Sequence, residues 1–197
     1  ARTAEGTPLY DQARRVAAEL ADAGWMVITG AGPGIMLAGM EGAGRDRSIG
    51  VNIRLPFEQE ANDVITGDPK LVTMKYFFTR KLMLMKESAG FIALPGGFGT
   101  IDETIELLTL QQTGKAVPAP VVLLDEPGGA YWHGWRTFVT EHLGGGGYIS
   151  DGDVELADLT DDVAVARELV TGFYRRYHSI RWVGSKLVIR TRTPVPD

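Results

Sequence analysis

Apolar positions recur with a helical period over Leu9 to Ala23, where Leu9, Ala13, Val16, Ala17 and Leu20 share one face and Arg14, Arg15 and Glu19 lie off it. Gly24 closes that segment, and Trp25-Met26-Val27-Ile28-Thr29 is a short apolar run of buried-strand type. The pattern then alternates. Small residues from Ile35 to Gly44 read as a helix, Ile49–Ile53 as a strand, Leu71–Met74 as a strand and Tyr76–Ser88 as a helix. Phe91–Leu94 is again a buried strand, Ile101–Thr113 a helix and Val121–Leu124 a strand. Residues 56–70 are polar and irregular, long enough for a functional loop. Beyond Tyr131 the chain turns helical over Tyr131–Leu143 and Asp161 to about Tyr177, with a glycine loop at Gly144–Gly147 between them.

Wholly apolar strands alternating with helices require a parallel sheet covered on both faces. The expected fold is α/β, a Rossmann-like doubly wound parallel sheet with helices on both faces, built as a single nucleotide-binding domain over residues 1–197. A first strand is expected ahead of Leu9 and outside the present sequence. Residues 175–197 read as a basic tail: Arg175 to Arg192 contains six basic residues and no acid. Either solvent or a neighbouring subunit meets that tail, and Leu187–Ile189 within it is expected to add an edge strand.

The 197 residues contain no Cys, which removes disulfides, thiol nucleophiles and Cys-ligated metal. The three His share no metal-ligand spacing, and the net charge of −5 opposes general nucleic-acid binding. No apolar run reaches the roughly 18 residues of a membrane span, and a cytoplasmic location fits that and the lack of Cys. The 25 glycines exceed average usage, and two clusters of them follow strands and open helices.

That context suits an anion, because glycine lets the backbone come close and the free N–H groups of a helix start favour negative charge. The first cluster, Gly30-Ala31-Gly32-Pro33-Gly34, departs from the dinucleotide spacing and reads equally as a tight turn or a ligand contact through Gly30, Gly32 and Gly34. The second, Pro95-Gly96-Gly97-Phe98-Gly99-Thr100, precedes Ile101-Asp102-Glu103, so a carboxylate falls on the first turn of the following helix. Taken alone, Glu103 is either a dipole-complementing helix start or a working carboxylate. Arg80-Lys81, on the helix that feeds the Phe91 strand, is either a solvated face or an anion site. Together they favour an anion site with a carboxylate beside it. Neither cluster is a P-loop, since no Gly-Lys-Ser/Thr follows.

Thr79-Arg80-Lys81 and the stretch Phe91 to Glu103, with its complete Pro-Gly-Gly-x-Gly-Thr-x-x-Glu motif, resemble the signature of the LOG (Lonely Guy) family. These are cytokinin riboside 5′-monophosphate phosphoribohydrolases, formerly labelled possible lysine decarboxylases. The resemblance covers about Leu9 to Leu124. The Asn52 to Pro56 segment and the long tail look like the family's bacterial branch. It implies hydrolysis of the N-glycosidic bond of a nucleoside 5′-monophosphate, AMP or a cytokinin riboside monophosphate, with no cofactor or metal. Arg80 and Glu103 are then the expected catalytic pair. Lys81, Gly96, Gly97, Phe98, Gly99 and Thr100 are expected at the phosphate, and Gly30, Gly32 and Gly34 at the other glycine turn. Thr100 is also a candidate helix cap, and Thr109 falls where the family has a ligand-proximal Thr but reads as a buried helix residue. Asn62 lies in the loop that closes over the base; Met74, Phe78, Met83 and Met85 line either a base pocket or the core. The implied partners are a small nucleotide and further copies of the chain, as a homodimer or larger. A non-catalytic carrier of a nucleotide or phosphorylated cofactor is the competing reading.

Overall fold

The computed structural model describes residues 3–54 and 61–194. It opens with α1, Pro8–Asp22, whose first turn is held by Thr7: the threonine Oγ1 accepts the Tyr10 N–H, and Pro8 occupies the position where a missing donor costs nothing. Then follow β1 (Val27–Thr29), α2 (Ile35–Ala43), β2 (Ser48–Ile53), β3 (Leu71–Met74), α3 (Phe77–Lys86), β4 (Phe91–Ala93), α4 (Phe98–Gln112), β5 (Val121–Leu124), α5 (Tyr131–Phe138), β6 (Asp158–Thr160), α6 (Val163–Arg176), β7 (Tyr177–Val183) and β8 (Lys186–Thr191).

The alternation of strands and helices is borne out, and every pairing among β1 to β6 is parallel. The strands fall into two groups of three, ordered β1-β2-β3 and β4-β5-β6, which run outward in opposite directions from β1 and β4. Trp25, leading into β1, and Gly90, leading into β4, mark the meeting line: a Cβ on Gly90 would lie 3.8 Å from the Trp25 ring.

β5 shows why both faces are covered. Val122 and Leu124 turn one way and pack with Val16 of α1 and Val163, Ala166 and Val170 of α6. Val121 and Leu123 turn the other way and pack with Leu107 of α4 and Trp132 of α5. This is the two-residue alternation of a strand feeding two cores. At the carboxyl end of β5 the buried Asp125 accepts the N–H groups of Glu126 and Trp132, so its charge is satisfied by backbone. Sequence periodicity gave no sign of that role.

Several elements differ from expectation. α4 starts at Phe98, three residues early, because the helix begins on the glycine turn itself. α6 starts at Val163, since the Asp162 side chain accepts the Ala164 and Val165 N–H groups and caps it. β6 is too short and too polar to read as a strand. Leu187–Ile189 joins no parallel sheet; it belongs to an antiparallel hairpin of β7 and β8. Residues 56–60 of the expected loop lie outside the described residues. Among the described residues no helix is long and apolar enough to cross a membrane.

Candidate functional site

Strand order reverses between β1 and β4, and both glycine clusters leave the carboxyl ends of those two strands. Ligands of open parallel sheets bind in the crevice at such a reversal. The first cluster is a braced turn. Ala31 is fully buried in the left-handed region at φ 57°, and its N–H donates to Thr29 Oγ1 at 3.1 Å. Gly34, at φ 66°, precedes α2 where a side chain would be strained. Asn62 fastens the turn from outside: its N–H donates to Ala31 O at 2.9 Å and its Nδ2 to Gly32 O at 3.1 Å. Its buried Oδ1 has no partner among the described residues. Asn62 therefore holds the turn, a role that its place in an irregular loop did not reveal.

Arg80 ties this turn to the second half of the molecule. Its Nε donates to Val51 O of β2 at 3.0 Å, and a Cβ at Gly30 would land on its Nη2, so any side chain there would push the guanidinium out of this position. The other end of the guanidinium, Nη1, stands 3.7 Å from Glu103 Oε1. Only 14% of the Arg80 side chain is exposed. Lys81, one residue on and turned by about 100°, is placed differently. It reaches Asp102 Oδ2 at 2.9 Å and pairs also with Glu106, locking α3 against α4. Those two carboxylates hold its ammonium above the ordinary lysine value.

The second cluster has three different glycines. Gly96 is required by packing, since a Cβ there would meet the Thr100 side chain, and its carbonyl accepts the Tyr131 hydroxyl at 2.8 Å. Gly97 and Gly99 are not required by the fold: neither has positive φ, and a Cβ on either would meet nothing within 4 Å. What glycine leaves there is an open approach to the Phe98 and Gly99 N–H groups that start α4, whereas the Thr100 N–H already donates to Gly97 O at 3.0 Å. Phe98 beside them is 96% exposed. Thr100 sits in the first turn of α4 rather than capping it; Gly97 holds the cap position. Gly32 and Gly34 remain with the first turn.

Glu103 lies four residues after Gly99, on the same helix face and about one turn further along. Its carboxylate accepts no hydrogen bond from the described residues, and Arg80 is its only ion-pair partner among them. Burial pushes the carboxyl above the ordinary glutamate value, with Arg80 and then Lys81 pulling it back. The result is a partly desolvated acid whose oxygens are not committed to the fold.

Other expected positions lie apart from this group. Thr109 is exposed rather than buried and bonds back to Ile105 O at 2.8 Å. Met85 packs into the core formed with Leu107 and Trp132, whereas Phe78 is 68% exposed. Among the described residues no three His, Asp or Glu side chains converge as metal ligands.

Comparison with known proteins gives a family and a fold. A protein family described as possible lysine decarboxylase matches residues 34–170. A cytokinin riboside 5′-monophosphate phosphoribohydrolase of Mycobacterium marinum is 28% identical over 158 residues, spanning 79% of this chain and 81% of the relative. A probable enzyme of the same name from Arabidopsis thaliana is 39% identical over 80 residues, spanning 41% of this chain and 38% of the relative. Among solved structures, the molybdenum cofactor carrier protein of Chlamydomonas reinhardtii superposes with TM-score 0.60 at 24% identity, covering 86% of this chain and 89% of that one. That likeness is one of fold.

Proposed function

The chain belongs to the possible lysine decarboxylase (LOG) family, and on that premise we propose that it hydrolyses the N-glycosidic bond of a nucleoside 5′-monophosphate, either AMP or a cytokinin riboside 5′-monophosphate. The observation that carries the reading is the pairing of an open helix start at Gly97 and Gly99 with the uncommitted carboxylate of Glu103 one turn away. A binder of phosphate alone needs the first and is opposed by the second, since a carboxylate repels the anion.

The 5′-phosphate rests on the N–H groups of Gly97, Phe98 and Gly99, beside the Thr100 hydroxyl and aided by the positive end of the α4 dipole. The ribose then extends along α4 toward Glu103. Cleavage builds positive charge on the ribose ring, as glycosidic hydrolyses with oxocarbenium-like transition states do. Glu103 stabilises that charge and orients the attacking water. The water oxygen joins the anomeric carbon, the bond to the base nitrogen breaks, and the water proton ends on the departing base. Arg80 keeps Glu103 ionised and faces the substrate across the crevice.

Decarboxylation of lysine on pyridoxal phosphate fits these residues poorly. A Schiff-base lysine must lose its proton, whereas Asp102 and Glu106 hold Lys81 protonated. Self-association fits well. α3 buries none of its residues although it is rich in Phe, Leu and Met, and Tyr76, Phe77, Phe78 and Leu82 are all more than half exposed. A second copy covering that helix would complete the pocket beside Arg80.

The test is to incubate the protein with AMP and with isopentenyladenosine monophosphate and to follow free base by chromatography, with Glu103→Gln alongside. Base release that disappears in the variant is expected. Binding of intact nucleotide without release would replace this reading with that of a carrier.

A further inference from the structure

The three N–H groups that form the phosphate seat are not held equally. The Phe98 N–H shares its peptide with Gly97 O, which accepts the N–H groups of Thr100 at 3.0 Å and Ile101 at 3.3 Å. The Gly99 N–H shares its peptide with the Phe98 carbonyl, already inside α4. Both peptides are therefore fixed by the helix. The Gly97 N–H shares its peptide with the Gly96 carbonyl, which lies before the helix and takes no bond from it. That peptide has glycine on both sides, where rotation of the backbone meets the least resistance. Among the described residues the Gly96 carbonyl accepts one hydrogen bond, from the Tyr131 hydroxyl at 2.8 Å.

Tyr131 comes to that carbonyl from 35 residues further along the chain, and its place is set from β5. Asp125, buried at the carboxyl end of that strand, accepts the Trp132 N–H with Oδ2 at 2.9 Å and the Glu126 N–H with Oδ1 at 3.0 Å. A Cβ on Gly129 would strike the same carboxylate, so the loop into α5 closes tightly around it. The Trp132 ring is fully buried and meets the Tyr131 ring edge to face, with centroids 4.8 Å apart. Tyr131 itself stands at the surface, 37% exposed. A hydroxyl at the edge of the crevice is thus delivered by a framework anchored in the core.

We propose that Tyr131 is the positioning residue of the phosphate seat: by holding the Gly96 carbonyl it turns the Gly97 N–H toward the phosphate of the ligand. The inference rests on the seat proposed at the start of α4. In a trans peptide the C=O and the N–H point to opposite sides, and no peptide among the described residues is cis. Holding the oxygen on the α5 side therefore presents the hydrogen on the other. That N–H has no acceptor among the described residues. The bond also polarises the amide, which makes the N–H a stronger donor. Without it the Gly96–Gly97 peptide is free to rotate and show the phosphate a carbonyl oxygen in place of a hydrogen. That exchange repels an anion and is of no consequence to a base or an uncharged ribose.

Calorimetric titration of the wild-type chain and of Tyr131→Phe with AMP, adenosine and inorganic phosphate tests it. The substitution keeps the ring and its packing on Trp132 and removes the hydroxyl alone. Affinity for AMP and for phosphate should fall about three- to tenfold, the worth of one hydrogen bond, while affinity for adenosine is unchanged. The Gly97 amide resonance should shift when AMP is added to the wild-type chain and hardly move in the variant, a signature that a tie serving only the fold would not give. With a wild-type chain that prefers AMP to adenosine, an unchanged AMP affinity in Tyr131→Phe overturns the inference and leaves the phosphate seat standing. Equal losses for AMP and adenosine do the same, since they reduce Tyr131 to a support of the turn. A wild-type chain that binds AMP no better than adenosine removes the seat itself, and the role of Tyr131 with it.

Discussion

Arg80 and Glu103 stand 3.7 Å apart across the line where strand order reverses, and Arg80 is anchored on the far side of that line by its bond to Val51 O. One side chain thus joins the first glycine turn, the β2 strand and the α4 helix. The separation is too long for a hydrogen bond and short enough for a strong electrostatic effect on a partly buried acid.

The pH dependence of base release should report that pair. Glu103 must be ionised to stabilise a cationic ribose, and burial raises its pKa. Activity should therefore fall on acidification at a pH above the ordinary glutamate value of 4.5. The stability effect has the opposite sign. An acid whose folded pKa is raised binds more protons when folded, so stability is lost as pH rises from the unfolded to the folded pKa. Glu103→Gln should then melt no lower than wild type at pH 7 while lacking activity. A variant that is both inactive and clearly less stable would make Glu103 a structural residue.

Arg80→Met removes the cation that lowers the Glu103 pKa most. The acid limb should move to higher pH, and kcat should fall by about a hundredfold, in the range seen when one electrostatic stabiliser is removed. Arg80→Lys keeps the charge without the fork that serves Val51 and Glu103 together. Its limb should stay nearer to wild type although kcat falls. Profiles that coincide for all three proteins would separate Arg80 from Glu103.

Much of this was legible in the chain because both glycine clusters sit directly after apolar strands, and strand type and turn chemistry are local properties. Arg80 and Glu103 lie on separate helices, so their places on either side of one strand suggested a shared site, and the family motif made them a catalytic pair. Lys81 shows the limit. Next to Arg80 in sequence, it reads as a second phosphate cation, but its direction is fixed by Asp102 and Glu106 on another element. Asn62 reads in the sequence as a residue of the loop over the base and Asp125 gives no signal at all, because the work of both is to satisfy backbone groups that only the folded turn brings to them. The split of the strands into two three-stranded sheets is a tertiary property, set by which strands pair, and no local pattern in the chain announces it.

Gly99→Leu separates the phosphate seat from the fold. A Cβ there meets nothing within 4 Å and needs no unusual φ, so stability should change by about 0.5 kcal/mol or less, as at an unremarkable surface position. Calorimetric affinity for AMP should drop at least tenfold while affinity for adenosine is nearly unchanged. Equal losses for both ligands would remove the phosphate from α4.

Gly42 in α2 tests the packing that supports the first glycine turn. α1 and α2 cross so closely that a Cβ on Gly42 would strike the Arg14 carbonyl and come 3.1 Å from the Ala18 nitrogen. Both obstacles are backbone and cannot swing aside. Gly42→Ala should therefore cost about 1–3 kcal/mol as overpacking does, lowering Tm by roughly 2–10 °C for a domain of this size. Gly134 in α5 is the opposite case, exposed, within a helix and with open space for a Cβ. Gly134→Ala should raise stability by about 0.5–1 kcal/mol through helix propensity alone. Thermal melts of the two variants should move in opposite directions. Equal shifts would mean that the close crossing of α1 and α2 does not support the domain.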